Sequence, residues 1–194
     1  MMKLLFALIL IYSPFVLLAQ KADSIRYYSL EEARTIHSDS VFAIRLSKKK
    51  LTVVPKEIQF YKNLRHLDLS RNKLSELPEF IGSLTNLIDL NLGKNKFTSF
   101  PTEICKLINL RRLVLNQNQF SHISECIGNL ENLRYFDLWD TPLETFPNAF
   151  LTMRNLKFID MRGILYGPTY QKKWISKLHW VRIEFDAPCD CMEK

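Results

Sequence analysis

The chain has 194 residues, which suits a single domain, and its 47% hydrophobic and 24% charged residues are ordinary values for a globular protein. The formal net charge of +7 is a modest basic excess that permits acidic partners without demonstrating them. Apart from the run KKK at residues 48–50, no Lys/Arg-rich segment supports nucleic-acid binding, so we expect no nucleic acid among the partners.

The first twenty residues have the pattern of an export signal. Lys3 supplies a basic start, residues 4–18 form an apolar run, and Ala19 offers a small residue for cleavage before Gln20. The run is shorter than the roughly 18–20 residues that span a bilayer. Residues 1–19 therefore predict a signal peptide, and we expect a secreted, periplasmic or extracellular protein with no transmembrane segment after its removal. The alternative is an uncleaved N-terminal anchor.

A short helix is predicted within residues 20–40, ahead of the repetitive part of the sequence. Ser29 is followed three residues later by Glu32, which is the spacing of a capping box at a helix start. Three apolar residues share one face of this helix: Leu30, Ala33 and Ile36. We expect this face to cover the first repeat as an N-terminal helical cap.

Residues 41–163 repeat with a period of 23 residues. The repeats start at 41, 64, 87, 110, 133 and 156. The fourth and sixth positions are apolar throughout, as Leu67 and Leu69 are in the second repeat. Asparagine recurs at the ninth position as Asn72, Asn95 and Asn118, with Lys49 and Thr141 as departures. Five consecutive repeats keep phase without an insertion, which indicates a stacked repeat architecture.

This pattern, with its L-P-x-x-I/F-x-x-L second half, resembles the leucine-rich repeat family in its 23-residue form. The L-E-E-A helix ahead of the repeats is similar to the opening of many bacterial members, so the resemblance implies a secreted protein of bacterial type. It also implies an α/β fold: a curved right-handed solenoid with a parallel β-sheet on its concave face and a cap at each end. The family is chiefly one of interaction scaffolds, which implies protein–protein binding.

Each repeat is interpreted as one coil of the solenoid. The segment LRHLDLS forms a strand whose period of two sends Leu67 and Leu69 inward and the residues between them outward. Asn72 follows at the bend, where its buried amide is expected to bond backbone groups of neighbouring coils. The second half returns across the convex side, with Pro78 at a first helical position. Two side chains one helical turn apart then face the core: Ile81 and Leu84.

Residues 164–194 are predicted to form a C-terminal helix–strand cap and a tail, because the periodicity fades after the last repeat. GPTYQKKWISKL indicates a helix with Pro168 near its start. Its apolar side consists of Trp174, Ile175 and Leu178. WVRIEF alternates as a strand with inward Val181, Ile183 and Phe185. If this strand pairs beside the last repeat, Trp180 continues the outward column of Tyr135 and Phe158.

Four cysteines in an exported chain permit disulfides, and four allow three pairings. Cys105 and Cys126 fall on the convex side of adjacent repeats, whereas Cys189 and Cys191 lie together near the end. The alternatives are two buried thiols with a tail pair, or a Cys105–Cys126 bridge between coils that stacking brings near each other. The CDC motif lacks the second ligand pair of a zinc site, so no metal site is predicted.

The sequence contains no motif of a known catalytic or phosphate-binding site. His66, Asp89 and Arg112 occupy the same position in successive strands, about 4.8 Å apart on the outer face. A nucleophile for a His–Asp pair would have to be Ser70, roughly 13 Å along the strand, which is too far for a triad. We interpret the three residues as a cross-strand polar ladder and expect neither an enzyme nor a cofactor.

The concave face is the predicted functional surface, because a solenoid presents there a broad and rigid sheet of about seven strands. Its later strands carry aromatic residues with an arginine and carboxylates, the composition of binding hot spots. The candidate partner-binding residues are Arg112, Tyr135, Asp137, Trp139, Phe158 and Asp160. Trp139 is the best single candidate. The alternative is that the tail, residues 186–194, folds over these aromatic side chains.

These observations predict a monomeric, non-catalytic recognition module that binds a protein or peptide through the concave face. Two other functions stay open. The first is a structural or adhesive protein that self-associates through edges or convex faces. The second is a module whose concave face binds a glycan.

Overall fold

Seven short strands follow the chain in order and pair in parallel to form one sheet. This computed structural model describes residues 25–187 of the protein. The strands are β1 (Ala43–Arg45), β2 (His66–Asp68), β3 (Asp89–Asn91), β4 (Arg112–Val114), β5 (Tyr135–Asp137), β6 (Phe158–Asp160) and β7 (Arg182–Glu184). Because each strand pairs with the next one along the chain, the chain forms an open curved solenoid, and the predicted α/β fold class is confirmed.

Within the repeats, neighbouring strands pair residues that are 23 positions apart. Leu90, for example, pairs with Leu67 on one side and with Leu113 on the other. The middle residue of each repeat strand is buried: Ile44, Leu67, Leu90, Leu113, Phe136 and Ile159. Burial of each such side chain contributes about 1.5–3 kcal/mol, so stacking of identical inward positions fixes the register.

The predicted asparagine position bonds backbone groups across coils, as expected. Asn95 Nδ2 donates to the carbonyl oxygens of Leu92, at 2.8 Å, and Leu69, at 3.1 Å. Asn95 Oδ1 accepts the N–H of Leu74 at 3.1 Å. The same three bonds recur at Asn72 and Asn118. The buried ladder thereby satisfies backbone groups at the bend that cannot meet each other.

A second row of asparagines joins the coils just before each strand, and the sequence interpretation missed it. Asn86 Nδ2 donates to the carbonyl oxygen of Lys62, in the preceding coil, at 3.0 Å. Four more asparagines make the equivalent bond: Asn63, Asn109, Asn132 and Asn155. The recurrence of an Asn–Leu pair every 23 residues is the sequence signal that could have predicted this row.

The return segments contain short 3-10 helices in place of longer α-helices. These 3-10 helices are Lys56–Phe60, Glu79–Ser83, Thr102–Lys106, Glu125–Asn129 and Asn148–Leu151, and a further one, Ser38–Ser40, lies in the N-terminal cap before β1. Pro78 directly precedes its helix instead of occupying the first helical position, one residue from the expectation. Ile81 and Leu84 are fully buried, which confirms that one short turn places both side chains on the core.

A disulfide bond joins two adjacent coils on the convex side. Cys105 and Cys126 are bridged, with their Cα atoms 5.7 Å apart, so the second of the two predicted alternatives is the one observed. Closing a loop of 21 residues in the unfolded chain corresponds to about 3 kcal/mol of stabilisation. Cys189 and Cys191 lie outside the described residues, as does the predicted signal peptide, residues 1–19.

The N-terminal cap is the helix α1 (Leu30–Arg34). Its capping box is confirmed: Glu32 N donates to Ser29 Oγ at 3.2 Å, and Ser29 N donates to Glu32 Oε2 at 2.7 Å. Leu30 and Ala33 are buried against the first coil. Tyr28 adds a backbone bridge to the free edge of β1. The open end of the core is therefore covered by helix and chain together.

The C-terminal cap contains the helix α2 (Pro168–Lys177), which begins at the predicted proline. Trp174 and Leu178 are buried, but Ile175 is 50% exposed, so its assignment to the apolar side was wrong. Trp174 and Leu178 are four residues apart and share a face, whereas Ile175 is turned about 100° away from Trp174. Within residues 25–187, no helix is long and apolar enough to cross a membrane.

The last strand pairs two residues later than predicted. Phe158 lies opposite Arg182, so Arg182 and not Trp180 continues the outward column. The difference arises because the turn after α2 takes up two further residues before β7 begins. Trp180 instead donates from Nε1 to the Met153 carbonyl oxygen at 3.3 Å and lies under the Arg154 guanidinium.

Candidate functional site

Three outward rows of side chains run across the concave face. The first row contains His66, Asp89, Arg112, Tyr135, Phe158 and Arg182. The second row contains Arg45, Asp68, Asn91, Val114, Asp137, Asp160 and Glu184. The third row, just past the strands, contains Ser47, Ser70, Gly93, Asn116, Trp139 and Arg162. All six predicted partner-binding residues belong to these rows.

The early part of the first row is the predicted polar ladder. Asp89 accepts from Arg112 Nη1 at 3.1 Å on one side, and its other carboxylate oxygen is 4.0 Å from His66 Nδ1. Burial lowers the pKa of His66, and the neighbouring Asp89 carboxylate partly opposes that shift. Asp89 and Arg112 are therefore joined by a hydrogen bond, whereas His66 Nδ1 is buried and makes no hydrogen bond at this distance.

The late part of the first row is a continuous stack of rings and guanidinium groups. Tyr135 and Phe158 are stacked, with ring centroids 4.9 Å apart and an interplanar angle of 12°. Arg112 lies 5.2 Å from the Tyr135 centroid, and Arg182 lies 5.8 Å from the Phe158 centroid. Because each ring face is covered by a neighbour in the row, a ligand on the sheet meets the edges of these rings.

The carboxylates of the second row support the surface from beneath. Asp137 and Asp160 are only 9% and 4% exposed. Asp137 accepts the Trp139 N–H at 3.1 Å and the Asn116 amide at 2.8 Å. Desolvation raises the pKa of Asp137, although both hydrogen bonds oppose the shift. The Asp137 side chain therefore holds the backbone of Trp139 in place.

Asp160 holds the backbone of Arg162 in the same way, one coil later. Its Oδ1 accepts the Arg162 N–H at 3.2 Å, and its two oxygens also bind the guanidinium of Arg162 at 2.9 and 2.6 Å. A bidentate pair of this kind is geometrically specific. Arg162 also approaches Glu184 at 3.6 Å, which ties the last repeat to the cap strand. Arg162 was not among the predicted site residues.

Trp139 is the large apolar side chain of the third row that meets solvent, with 36% of its surface exposed. Lys94, two coils earlier, places Nζ 5.9 Å from the indole ring. A Cβ atom at Gly93 would collide with Asn116 Oδ1, so the Asn116 side chain occupies the space beside Gly93. Lys94 therefore reaches across the intervening coil toward the Trp139 indole.

The structure separates the predicted residues into three groups. Arg112, Tyr135 and Phe158 form one stack, Asp137 and Asp160 lie beneath, and Trp139 stands apart at the end of its strand. We call the partly exposed residues the aromatic patch: Arg112, Tyr135, Trp139 and Phe158. Tyr135 and Trp139 are four positions apart, or roughly 13 Å along an extended chain. The aromatic patch therefore touches two rows and has a carboxylate row between them.

Among residues 25–187, no three His, Cys, Asp or Glu side chains are placed to hold one metal ion. The contacts within the ladder, the stack and the buried carboxylates instead hold the side chains and backbone of the concave face in place. The part of the concave face that the structure describes is therefore a rigid surface that presents the edges of aromatic rings.

The repeat family is evident from comparison with known proteins. The family profile described as leucine rich repeat matches residues 62–120 and 85–143. Together with the six coils, their 23-residue register and the likenesses below, this match shows that the chain belongs to the leucine-rich repeat family. No curated protein matches the chain in sequence.

Three solved structures resemble the chain over most of its length. A leucine-rich repeat protein of Leptospira interrogans is 31% identical, with a TM-score of 0.59, over 77% of this chain and 43% of its own. The plant peptide hormone receptor RGFR1, solved in complex with RGF2, is 28% identical, with a TM-score of 0.62, over 83% of this chain and 26% of its own.

The third structure is an internalin of Listeria monocytogenes. It is 18% identical, with a TM-score of 0.57, over 76% of this chain and 48% of its own. At this identity the likeness shows the fold alone. The chain spans less than half the length of each of these three solved chains.

Proposed function

We propose that this protein is a non-catalytic recognition module that binds a protein or peptide through the late half of its concave face. The observation that carries the proposal is Trp139, an exposed indole on a backbone fixed by Asp137. An anchor that is already held in place loses little conformational freedom on binding. The proposed contact residues are the aromatic patch, with Asp137 and Asp160 as its supports.

The stacked rings supply a second, extended contact. Tyr135 and Phe158 present edges to the concave surface, and Arg112 at the end of the stack supplies a donor. Aromatic residues and arginine dominate the energetics of protein interfaces. A peptide that binds across the strands would therefore contact the edges of the Tyr135 and Phe158 rings in the first row and the Trp139 indole in the third row.

The relatives support this class of function. The plant receptor RGFR1 was solved in complex with RGF2, and it shares the fold over 83% of this chain. Because the chain spans only 26% of that receptor, the comparison supports binding in general and does not carry over a ligand.

The protein is proposed to act as a monomer.

The protein is proposed to act outside the cytoplasm. The Cys105–Cys126 bridge joins two coils, and structural disulfides persist chiefly in oxidising compartments. The apolar run after Lys3 supplies the signal for export. Mass spectrometry of the exported protein should find an N-terminus at or near Gln20. A chain that retains Met1 in the cytoplasm would contradict the export proposal.

The test begins with partner capture by the immobilised protein, followed by affinity measurement for the captured partner. Trp139→Ala should weaken binding by about 2 kcal/mol, a factor of roughly 30, because a truncated anchor leaves its contact surface unfilled. The melting temperature should change little, since this side chain points away from the core. Ser70→Ala is the matched control on the early half of the same row and should leave both quantities unchanged.

Two results would overturn the proposal. In the first, Trp139→Ala binds like wild type once corrected for the folded fraction, which would make Trp139 a packing residue. In the second, the only species captured is the protein itself, with an elution volume that depends on concentration. That result would favour a self-associating structural protein.

A further inference from the structure

A second surface lies along the edge of the solenoid where the chain leaves the strands. At this point each coil turns through a residue with positive φ: Lys48, Arg71, Lys94, Gln117, Asp140 and Gly163. These residues follow the third row directly, at the rim of the concave face. The six turns share a positive-φ residue at this position, so their side chains can be compared there; the first turn has a second such residue, Lys50.

The rim is strongly basic in the first three coils and not in the later ones. Its cations there are Lys48, Lys49, Lys50, Arg71, Lys73, Lys94 and Lys96, which we call the basic edge. In the same three loops, residues 47–54, 70–77 and 93–100, the one carboxylate is Glu76. In the fourth and fifth coils, residues 116–123 and 139–146 contain no lysine or arginine.

The charge of the basic edge is little compensated by neighbouring carboxylates, although Glu31 lies near enough to Lys49 to interact with it electrostatically. None of its seven side chains forms an ion pair with a carboxylate among the described residues. Strands lie about 4.8 Å apart, so the cations of three coils crowd within roughly 10 Å along the solenoid. Like charges this close repel one another, and a bound anion would relieve that repulsion.

Backbone conformation gives a second, independent observation. Lys48, Lys50, Arg71 and Lys94 all have φ between 57° and 60°. This region costs most residues about 1 kcal/mol or more, and glycine or asparagine adopts it more readily. Gly163 fills the equivalent turn of the last repeat. Long cationic side chains therefore occupy positions where the fold alone would favour a smaller residue, which is typical of functional surfaces.

We propose that the basic edge binds a linear anionic polysaccharide, one that bears sulfate or carboxylate groups along its length. Such a chain presents negative charge at regular steps along one line and would follow the rim across the first three coils. Six of the seven cations are lysines, whose flexible point charges suit a ligand with variable anion positions better than the bidentate fork of arginine does.

The chemistry of the rim disfavours the other polyanions. Non-specific single-stranded nucleic acid binding needs aromatic platforms for the bases, but the third row of these coils offers Ser47, Ser70 and Gly93. A flat anionic membrane would contact the whole rim at once, including Asp140 and Glu144 in the fifth coil. A narrow chain can contact the first three coils alone.

The test measures binding of heparin, a linear sulfated polysaccharide, to the purified protein at about 0.15 M salt, where the Debye length is about 8 Å. The triple variant Lys50→Asn, Arg71→Asn and Lys73→Gln should bind about tenfold more weakly and with a shallower salt dependence. Asparagine tolerates positive φ, so this variant should melt at or above the wild-type temperature.

The matched control removes the same charge elsewhere: Lys157→Gln, Lys172→Gln and Lys173→Gln. Retained heparin affinity in the control and loss in the edge variant would support the proposal. Absence of wild-type heparin binding, or equal loss in both variants, would overturn it. Tighter binding to oligo-dT or to phosphatidylglycerol vesicles than to heparin would assign the edge to nucleic acid or membrane instead. Because Trp139 is unchanged throughout, these outcomes are independent of the proposed protein-binding site.

Discussion

The first three coils and the last two repeat coils share one frame but present different surfaces. Leu67 and Leu90 in the early coils, and Phe136 and Ile159 in the late ones, fill the same inward position and are all buried. The outward positions differ: short polar residues and a cationic rim early, stacked rings and buried carboxylates late. The comparison teaches that the inward positions fix the coil and leave the outward positions free to carry binding.

The two regions also differ in how the buried backbone groups at the bend are hydrogen-bonded and in how the core is packed. In the second, third and fourth coils a buried asparagine bonds three backbone groups, whereas Thr141 at the same position of the fifth coil donates from Oγ1 to the Leu138 carbonyl oxygen at 2.8 Å. Beyond Thr141 an aromatic cluster closes the core, with the Phe146 and Trp174 rings 4.6 Å apart. Polar cross-linking in the middle of the solenoid thus gives way to aromatic packing at its C-terminal end.

The largest expected effect comes from emptying an inward position. Leu90→Ala should lower the free energy of unfolding by about 2–5 kcal/mol, because it removes packed methyl groups between two coils and leaves a cavity. Chemical denaturation followed by circular dichroism measures the change. Ser70→Ala, on an outward position of the neighbouring coil, should change stability by less than about 0.5 kcal/mol. Equal midpoints for both variants would mean that the inward and outward positions are assigned wrongly.

The next largest effect on stability compares the asparagine at the bend with the threonine that replaces it in the fifth coil. Asn95→Ala should cost about 1–3 kcal/mol, because the backbone groups of Leu69, Leu74 and Leu92 lose a buried partner. Thr141→Ala should cost less, since one hydrogen bond is removed. Both values follow from the same denaturation experiment.

The converse substitution sharpens this contrast. Thr141→Asn should stabilise the protein by about 0.5–1 kcal/mol if the late coils can accept the bonds that Asn118 makes one coil earlier. A destabilised Thr141→Asn variant would show that the aromatic closure has reshaped the bend, so that the two regions do not share one frame there.

A smaller effect concerns acid sensitivity in the early coils. Burial holds the pKa of His66 below its ordinary 6.5, so the unfolded chain takes up a proton first as the pH falls below 6.5. Stability is therefore lost on acidification, by under about 1 kcal/mol because the ring is partly solvated. His66→Gln should reduce the fall in melting temperature between pH 7 and pH 5. An unchanged slope would mean that His66 does not contribute.

The late coils should show the opposite sign. Burial raises the pKa of Asp137, so its contribution to stability is complete below its ordinary value of 3.8 and is lost as the pH rises through the folded-state pKa. Asp137→Asn should keep the bond to Trp139 N, because Asn91 bonds Gly93 N in the same way at 3.1 Å. The Asn116 amide, which donates to Asp137 at 2.8 Å, must then turn so that its oxygen accepts from the new side chain. The variant should be as stable as wild type or slightly more so at neutral pH, by at most about 1 kcal/mol, and the difference should vanish on acidification.

Much of the fold was predictable because it depends on a local pattern repeated in phase. The positions of Leu67, Asn72 and Ile81 follow from strand period, bend chemistry and one helical turn, and each is confirmed. The capping box at Ser29 is equally local. The row that begins at Asn63 could have been predicted too, since it recurs with the same period as the strands.

The prediction was wrong where repetition ends. Ile175 looked apolar enough for the core, but its exposure depends on how α2 lies across the last coil. Trp180 was placed in the outward column, whereas the length of one turn moved Arg182 into that position. Neither the packing angle of a helix nor the length of a turn is encoded in a periodic pattern.

The sequence by itself determined the coil, its register and the identity of the outward residues, because a 23-residue period fixes which side chain lies above which. Only the tertiary structure decided how those outward residues share space. It stacked Tyr135 on Phe158, buried the Asp137 carboxylate where it accepts the Trp139 N–H, and brought Lys94 near an indole two coils away. These contacts depend on side-chain rotamers, because distances between neighbouring coils are set by packing and not by spacing in the chain.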